Sequence, residues 1–154
     1  MGTYTVSRTR TIAADRDRIH ALLADFHEWR TWSPWEDLDP DLQRTYGGAE
    51  RGPGSTYAWK GNRKAGEGRM EMTGSTPERV DVTLTFLKPF RSTSSVTFTL
   101  APAGDADAAT DVTWTMTGEQ KGLMGVLGKV VSMDRLIGKD FDKGLERLRA
   151  AAEG

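Results

Sequence analysis

The chain has 154 residues, of which 37% are hydrophobic, and it carries a net charge of −1 and no cysteine. That length is enough for one compact domain with its own hydrophobic core, which we expect to span residues 1–154. The charge balance disfavours a nucleic-acid partner, which requires a basic surface, and the missing cysteines exclude disulfides and thiolate metal sites.

The N-terminal part of the chain predicts one strand and then two short helices. Thr3–Ile12 alternates apolar and polar side chains, as a half-buried strand does. Asp15 is a favourable N-cap, and the apolar residues after it recur at helical spacing: Ile19, Leu22, Leu23 and Phe26. A second short helical segment carries Trp29 and Trp32 and should end before Pro34, because proline disfavours helical geometry in the preceding residue. We expect the acidic loop at 36–41 to be solvated.

Six further strand patterns occupy the middle of the chain. The first of them covers Leu42–Tyr46, and the clearest, Arg79–Leu87, alternates Val80, Val82, Leu84 and Phe86 with polar residues. In the others the inward-facing residues are Tyr57 and Trp59, Met70 and Met72, Val96, Phe98 and Leu100, and Val112, Trp114 and Met116. Turn residues, and a bend at 88–90, separate the strands. Because the connections are short, neighbouring strands should pair antiparallel, with one buried and one solvated face.

The end of the chain predicts one long amphipathic helix. Its apolar stripe consists of Met133, Ile137, Phe141, Leu145, Leu148 and Ala152. Gly138 and Gly144 lie on the same side, and each costs about 1 kcal/mol relative to alanine inside a helix. Two explanations are open: close packing of the helix on the sheet, or space kept for a ligand. The glycine-punctuated segment Leu123–Val131 is either a lid over that space or a short core helix.

Polar groups at catalytic or metal-binding spacing are scarce. Neither histidine has a metal-ligand partner at motif spacing, and the acids of the loop miss the calcium-binding template: Glu36, Asp37, Asp39 and Asp41. No phosphate-binding glycine loop or nucleophile elbow is present. Tyr46 and Tyr57 are the best candidates for a phenolic hydrogen bond inside the fold. We therefore predict no cofactor and no metal, and the spacing identifies no catalytic residue.

Several local motifs accompany this order of one strand, two short helices, six strands and a long helix. They are Ile12-Ala13-Ala14, Trp32-Ser33-Pro34-Trp35, Gly68-Arg69-Met70-Glu71-Met72, the segment 110–116, and Gly138-Lys139-Asp140-Phe141. With them the chain resembles the START-like, or SRPBCC, superfamily, and within it the polyketide cyclase/dehydrase-like branch. The resemblance implies an α+β helix-grip fold: a curved antiparallel sheet of six to seven strands wrapped around the long C-terminal helix, with two short helices after strand one. It also implies a hydrophobic cavity between sheet and helix.

We therefore predict that the chain binds a small hydrophobic molecule, aromatic or lipid-like, in such a cavity. Strand and helix parity predicts the lining residues, which are Trp32, Trp35, Tyr57, Trp59, Met72, Phe86, Phe98, Trp114, Met116, Ile137, Phe141 and Leu145. Two alternatives are open: a cyclase or dehydratase acting on an aromatic or polyketide-like substrate, and a protein-interaction module with a filled interior. We expect a cytoplasmic monomer or homodimer without stable membrane insertion, since no signal-peptide pattern and no apolar run of roughly 20 residues is present.

Overall fold

Seven strands and three helical segments form the described part of the chain, which is residues 3–36, 38–63, 65–88, 91–104, 109–119 and 133–154 of a computed structural model. The helices are α1 at Arg16–Leu23, a 3₁₀ helix at Phe26–Thr31, and α2 at Met133–Glu153. The strands are β1 at Thr3–Ile12, β2 at Gln43–Gly48, β3 at Ser55–Lys60, β4 at Glu67–Thr76, β5 at Arg79–Lys88, β6 at Ser92–Pro102 and β7 at Thr110–Glu119. The lid or core helix predicted at 123–131, and residues 89–90 of the predicted bend, lie outside the described residues.

All seven strands form one antiparallel sheet in the order β1-β7-β6-β5-β4-β3-β2. From β2 to β7 each strand pairs with the next one along the chain. Strand β1 instead pairs with β7, with Thr3 opposite Glu119 and Ile12 opposite Thr110. The predicted α+β helix-grip architecture, a curved antiparallel sheet with a long C-terminal helix, is confirmed.

An aspartate caps the N-terminus of each short helix. Asp15 caps α1, and its Oδ1 accepts a hydrogen bond from the Arg18 amide at 2.9 Å. Asp25 caps the 3₁₀ helix, and its Oδ1 accepts from the His27 amide at 2.9 Å. The apolar spacing of the sequence predicts Phe26 in the first helix. Because the Asp25 cap starts a new helix, Phe26 instead belongs to the 3₁₀ helix.

Both glycines of α2 are points of close packing. A Cβ added at Gly144 would lie 2.7 Å from Cζ3 of Trp114 and 3.0 Å from Cδ of Pro34. A Cβ added at Gly138 would collide with the guanidinium of Arg8, which reaches the helix from β1. Of the two explanations open from the sequence, close packing accounts for both positions, because glycine lets another group approach the helix backbone.

Ion pairs hold the polar side of α2 to the edge strand β1. Arg8 Nε lies 3.5 Å from the Asp142 carboxylate, and Arg10 pairs with Glu146. These pairs are partly exposed and screened by solvent, so each contributes little to stability. Burial of the apolar stripe of α2 is therefore the main force that fixes the helix on the sheet.

Aromatic side chains fill one end of the concave face. Trp114 stacks on Phe141, with ring centroids 4.0 Å apart and planes inclined by 8°. Trp32 and Phe98 pack edge-to-face with centroids 5.8 Å apart, and both contact Trp114. All four side chains are at most 1% exposed, so this end of the interior is solid.

Candidate functional site

A cavity of about 260 Å³ lies between the N-terminal half of α2 and the other end of the concave face. Its wall consists of the segment after the 3₁₀ helix, inward-facing residues of β3 to β7, and one side of α2. Several hydrophobic side chains of the wall remain partly exposed, among them Trp35, Trp59, Met70, Phe86 and Ile137. A concave, mainly apolar wall with a few polar groups is typical of small-molecule sites.

Eight of the twelve residues predicted to line a cavity are in this wall: Trp35, Tyr57, Trp59, Phe86, Trp114, Met116, Ile137 and Phe141. The other four, Trp32, Met72, Phe98 and Leu145, are not in the wall but in the buried core. The alternation of side chains along each strand shows which residues face the helix. It does not show which end of that face is filled by side chains. The structure therefore places the eight in the cavity wall and the four in the core next to it.

The approach of α2 to the sheet explains where the cavity ends. Gly144 lets the helix come into contact with Trp114 and Pro34, one turn beyond Phe141. No space remains beside the next apolar residue of the stripe, Leu145, which is 1% exposed. The same boundary separates Met70 in the wall from Met72 in the core of the same strand.

The sequence reasoning missed ten wall residues: Trp29, Ser33, Glu36, Leu38, Leu42, Ala65, Met70, Leu84, Val96 and Asp140. Met70, Leu84 and Val96 have the same inward parity as the predicted set, so the signal was present and only their position along the strand was unknown. Leu38, Leu42 and Ala65 belong to loops or their edges, where no periodicity applies. Asp140 directly precedes Phe141 and therefore lies beside the apolar stripe of α2, not within it.

Trp59 is held in the wall by a glycine on the neighbouring strand. Gly68 is opposite Trp59 in the β3–β4 register, and a Cβ there would lie 2.5 Å from Cη2 of the indole. The indole Nε1 also donates to the carbonyl oxygen of Ala65 at 2.8 Å. The ring is thus fixed by its contact with Gly68 and by the hydrogen bond of its Nε1, and it remains partly exposed at the cavity.

Glu36 is the residue whose environment differs most from the predicted one. Its side chain is 9% exposed and does not belong to a solvated acidic loop. One carboxylate oxygen accepts from Arg44 Nε at 2.7 Å, and the other accepts from the Tyr57 hydroxyl at 2.6 Å. Burial of a carboxylate is tolerated here because a cation and a hydroxyl donor replace its hydration. The prediction of a solvated loop was wrong for this residue.

Another described residue of the acidic loop, Asp39, binds backbone amides through its side-chain carboxylate. Asp39 accepts hydrogen bonds from the amides of Asp41 and Asn62, both at 2.8 Å, which join this loop to the β3–β4 hairpin. Asp37 lies outside the described residues. The described part of the chain contains no group of three or more histidine, cysteine or acidic side chains able to hold a metal ion.

A sequence signal for the buried pair exists in β2. Arg44 is opposite Trp59, and Tyr46 is opposite Tyr57, so both β2 residues share the inward face of the sheet. An arginine on an inward face needs an acidic partner, and the acidic loop directly before β2 supplies one. Parity applied to β2 identifies Arg44 together with Tyr46, whereas the prediction from the sequence named only the tyrosines.

The electrostatics of this group keep its phenols protonated. Burial raises the pKa of Tyr57, and the hydrogen bond and negative charge of Glu36 raise it further. Burial, followed by the charge of Glu36, also raises the pKa of Tyr46. For Arg44, burial acts to lower the pKa, but the hydrogen bond and charge of Glu36 outweigh it and the pKa is raised. At neutral pH both phenols are therefore protonated, and the Tyr57 hydroxyl donates its hydrogen bond to the Glu36 carboxylate.

Two buried polar atoms have no partner among the described residues: Tyr46 Oη and Trp114 Nε1. Tyr57 makes the internal phenolic hydrogen bond that the sequence suggests, whereas Tyr46 does not. The other indole N–H groups donate to Leu23 O, Leu22 O, Asp140 Oδ2 and Ala65 O. Since buried polar groups are normally satisfied, these two atoms are exceptions within the described part of the fold.

The comparisons with known proteins agree with this architecture. Residues 3–153 match the model of a family described as polyketide cyclase/dehydrase and lipid transport. The search of curated proteins found no match. No helix within the described ranges is long and apolar enough to cross a bilayer.

Solved structures similar to this chain cover nearly all of it. A protein of Chromobacterium violaceum has 17% identity and a TM-score of 0.68, over 97% of each chain. A START superfamily protein of Mycobacterium smegmatis has 18% identity and a TM-score of 0.64, over 99% of this chain and 98% of its own. Ara h 8.0201 has 15% identity and a TM-score of 0.63, over 99% of this chain and 97% of its own. At these identities the likeness shows the fold alone.

Proposed function

The chain belongs to the polyketide cyclase/dehydrase and lipid-transport family, and from that premise we propose that it binds a small, largely apolar aromatic molecule in the cavity beside α2. The observation that supports this most directly is the aromatic wall with its partly exposed Trp35, Trp59 and Phe86. Aromatic rings contact one another favourably in edge-to-face and offset geometries, so these side chains suit a flat ligand. We propose the cytoplasm as the location of this binding.

The volume of the cavity limits the size of the ligand. An apolar cavity of about 150 Å³ in another protein holds one benzene molecule. By that measure a cavity of 260 Å³ holds a single aromatic ring or two fused rings. The volume of a long acyl chain is larger than the cavity. Of the aromatic and lipid-like ligands that the sequence leaves open, the aromatic class fits better.

The five tryptophans provide a direct test with an internal control. We would titrate nitrogen-15-labelled protein with 2-naphthol and follow the indole N–H resonances. Binding in the cavity should shift the signals of Trp29, Trp35, Trp59 and Trp114 most, because these four residues are in the wall. The signal of Trp32, which is buried in the core, should shift least. Equal small shifts of all five would contradict a specific site.

A matched pair of variants on β4 separates binding from stability. Met70 is in the wall and Met72 is in the core of the same strand. Met70→Trp should fill the cavity and weaken binding of 2-naphthol at least about tenfold, or 1.4 kcal/mol. Met72→Leu should lower the free energy of unfolding by less than about 1.5 kcal/mol and leave the affinity unchanged.

A second candidate, a cyclase or dehydratase, is favoured by one observation: the cavity wall contains the carboxylates of Glu36 and Asp140. In such an enzyme the cavity would fold a flexible carbonyl chain for ring closure, and Glu36 would accept the proton removed from the carbon that forms the new bond. Glu36→Gln should then abolish loss of water from a linear poly-β-ketone, followed by mass spectrometry. Turnover that survives this change would remove Glu36 from the reaction.

The third possibility, a protein-interaction module, has the weakest support. It requires an interior filled by side chains, and the concave face is filled at one end only. A small-molecule site accounts for the space at the other end without an additional partner.

A further inference from the structure

The charges in the cavity wall distinguish between classes of ligand. Among the described wall residues the ionisable groups are Glu36, Tyr57 and Asp140, and none is a lysine, arginine or histidine. The charge of Glu36 is compensated by Arg44, whose Nε lies 2.7 Å away. Asp140 receives a hydrogen bond from Trp35 Nε1 at 3.3 Å and forms no salt bridge within the described ranges. The described wall therefore carries one uncompensated negative charge.

Two arginines that contact α2 or the cavity-wall residue Ser33 are engaged elsewhere. Arg8 pairs with Asp142, and Arg147 donates to the carbonyl oxygen of Ser33 at 3.2 Å. Neither side chain is in the cavity wall. A ligand carboxylate placed in the cavity would lose its hydration, meet no wall cation among the described residues, and be repelled by Asp140.

The carboxylates in the wall add a second requirement. Those of Glu36 and Asp140 are hydrogen-bond acceptors, so a hydroxyl or an amide N–H on the ligand would suit them.

We propose that the cavity selects uncharged aromatic molecules that carry an amide or hydroxyl group and rejects aromatic or fatty carboxylates, with Asp140 as the residue that determines this preference. The proposal rests on the proposed binding function and names the ligand class of the same site. A wall made of apolar side chains alone would not distinguish uncharged aromatic ligands from carboxylates.

An isosteric pair of probes tests the preference. 2-Naphthamide and 2-naphthoate have the same rings and nearly the same shape, but at about pH 7.5 only the second is charged, because carboxyl groups ionise near pH 4. Calorimetric titration of the wild-type protein should give at least about tenfold tighter binding of the amide, which corresponds to 1.4 kcal/mol. The naphthoate binding as tightly as the amide would overturn the proposal and leave the binding function intact.

Two aspartate variants on α2 test the assignment to Asp140. Asp140→Asn keeps the shape of the side chain and should reduce the difference between the probes to less than about threefold, mainly by improving the binding of naphthoate. The matched control Asp142→Asn removes a carboxylate that is 64% exposed and paired with Arg8, and it should leave the difference unchanged. A difference that persists in Asp140→Asn would overturn the role of Asp140.

The outcomes of these titrations are distinguishable from failure of the binding function. If neither probe binds and 2-naphthol also leaves the indole resonances unmoved, the proposed function and this inference both fail. Circular dichroism would establish that each variant is folded before titration. The comparison of the two probes on the wild-type protein stands independently of any variant.

Discussion

The hydrogen bond between Tyr57 and Glu36 can be measured by a double-mutant cycle. Tyr57→Phe removes the hydroxyl that donates to Glu36 at 2.6 Å and leaves the ring, which is 2% exposed, in place. Glu36→Gln removes the charge and keeps an acceptor of nearly the same shape. Both single changes should lower the free energy of unfolding, because each weakens a bond between a hydroxyl and a buried carboxylate.

The magnitude follows from the kind of bond. Hydrogen bonds to charged groups contribute about 1.5–3 kcal/mol, so Tyr57→Phe should cost about that amount. Glu36→Gln should cost about 1–3 kcal/mol, because Arg44 loses its ionic partner but is 16% exposed and recovers some hydration. Since the two changes remove one shared interaction, the double variant should be less destabilised than their sum, by about 1–2 kcal/mol.

Urea unfolding followed by tryptophan fluorescence would supply the four free energies of the cycle. The matched control is Tyr46→Phe, which removes a buried hydroxyl without a described partner. That change should be neutral or stabilising by up to about 1 kcal/mol. Additive effects of Tyr57→Phe and Glu36→Gln, within about 0.5 kcal/mol, would refute the inference that the two side chains act as one unit.

Three further predictions concern stability and the shape of the wall. Gly144→Ala should lower the free energy of unfolding by about 1–2 kcal/mol, because the new Cβ meets the Trp114 ring, whereas Gly138→Ala should stay within about 1 kcal/mol of wild type, because the flexible end of Arg8 can move aside. Both are measured by urea unfolding. Gly68→Ala should push the Trp59 indole into the cavity and weaken binding of 2-naphthol, and it should also lower the free energy of unfolding, because the new Cβ would lie 2.6 Å from the Thr85 carbonyl oxygen; unchanged affinity in the folded variant would contradict the role of Gly68. The folded-state pKa of Tyr57 lies above its unfolded value, so its stabilising contribution is complete below about pH 10 and is lost above it, by up to about 1.4 kcal/mol per pH unit. The Tyr57→Phe variant should therefore lose less stability than wild type between about pH 10 and 11, and equal losses would contradict the shift.

The architecture was predictable because its signals are periodic and local. Alternation in Arg79–Leu87 and the stripe through Phe141 identify a strand and a helix without reference to the rest of the chain. Short connections then require antiparallel neighbours. The break between α1 and the 3₁₀ helix was less accessible, because Phe26 fits the apolar spacing of the first helix while Asp25 caps the second.

The candidate site was predictable only as a face of the sheet. Parity places Trp59 and Trp114 on the concave side, but whether space remains beside a residue depends on how closely α2 approaches, and that depends on Gly144 meeting Trp114 and Pro34. Glu36 was missed because its burial depends on Arg44 and Tyr57, which come from two other strands. These contacts join the loop to two strands of the sheet. The spacing of residues within the loop therefore does not predict them.

The pairing of β1 with β7 has a consequence for the order in which the chain folds. Strands β2 to β7 pair with their sequence neighbours, so they can assemble through short loops, whereas β1 must close a loop of roughly a hundred residues to reach Thr110 and the strand it begins. During synthesis β1 emerges from the ribosome before β7, and five other strands are made between them. Until the two meet, the edge of β7 presents unpaired backbone groups of the kind that pair with other chains, and the docking of β1 covers this edge.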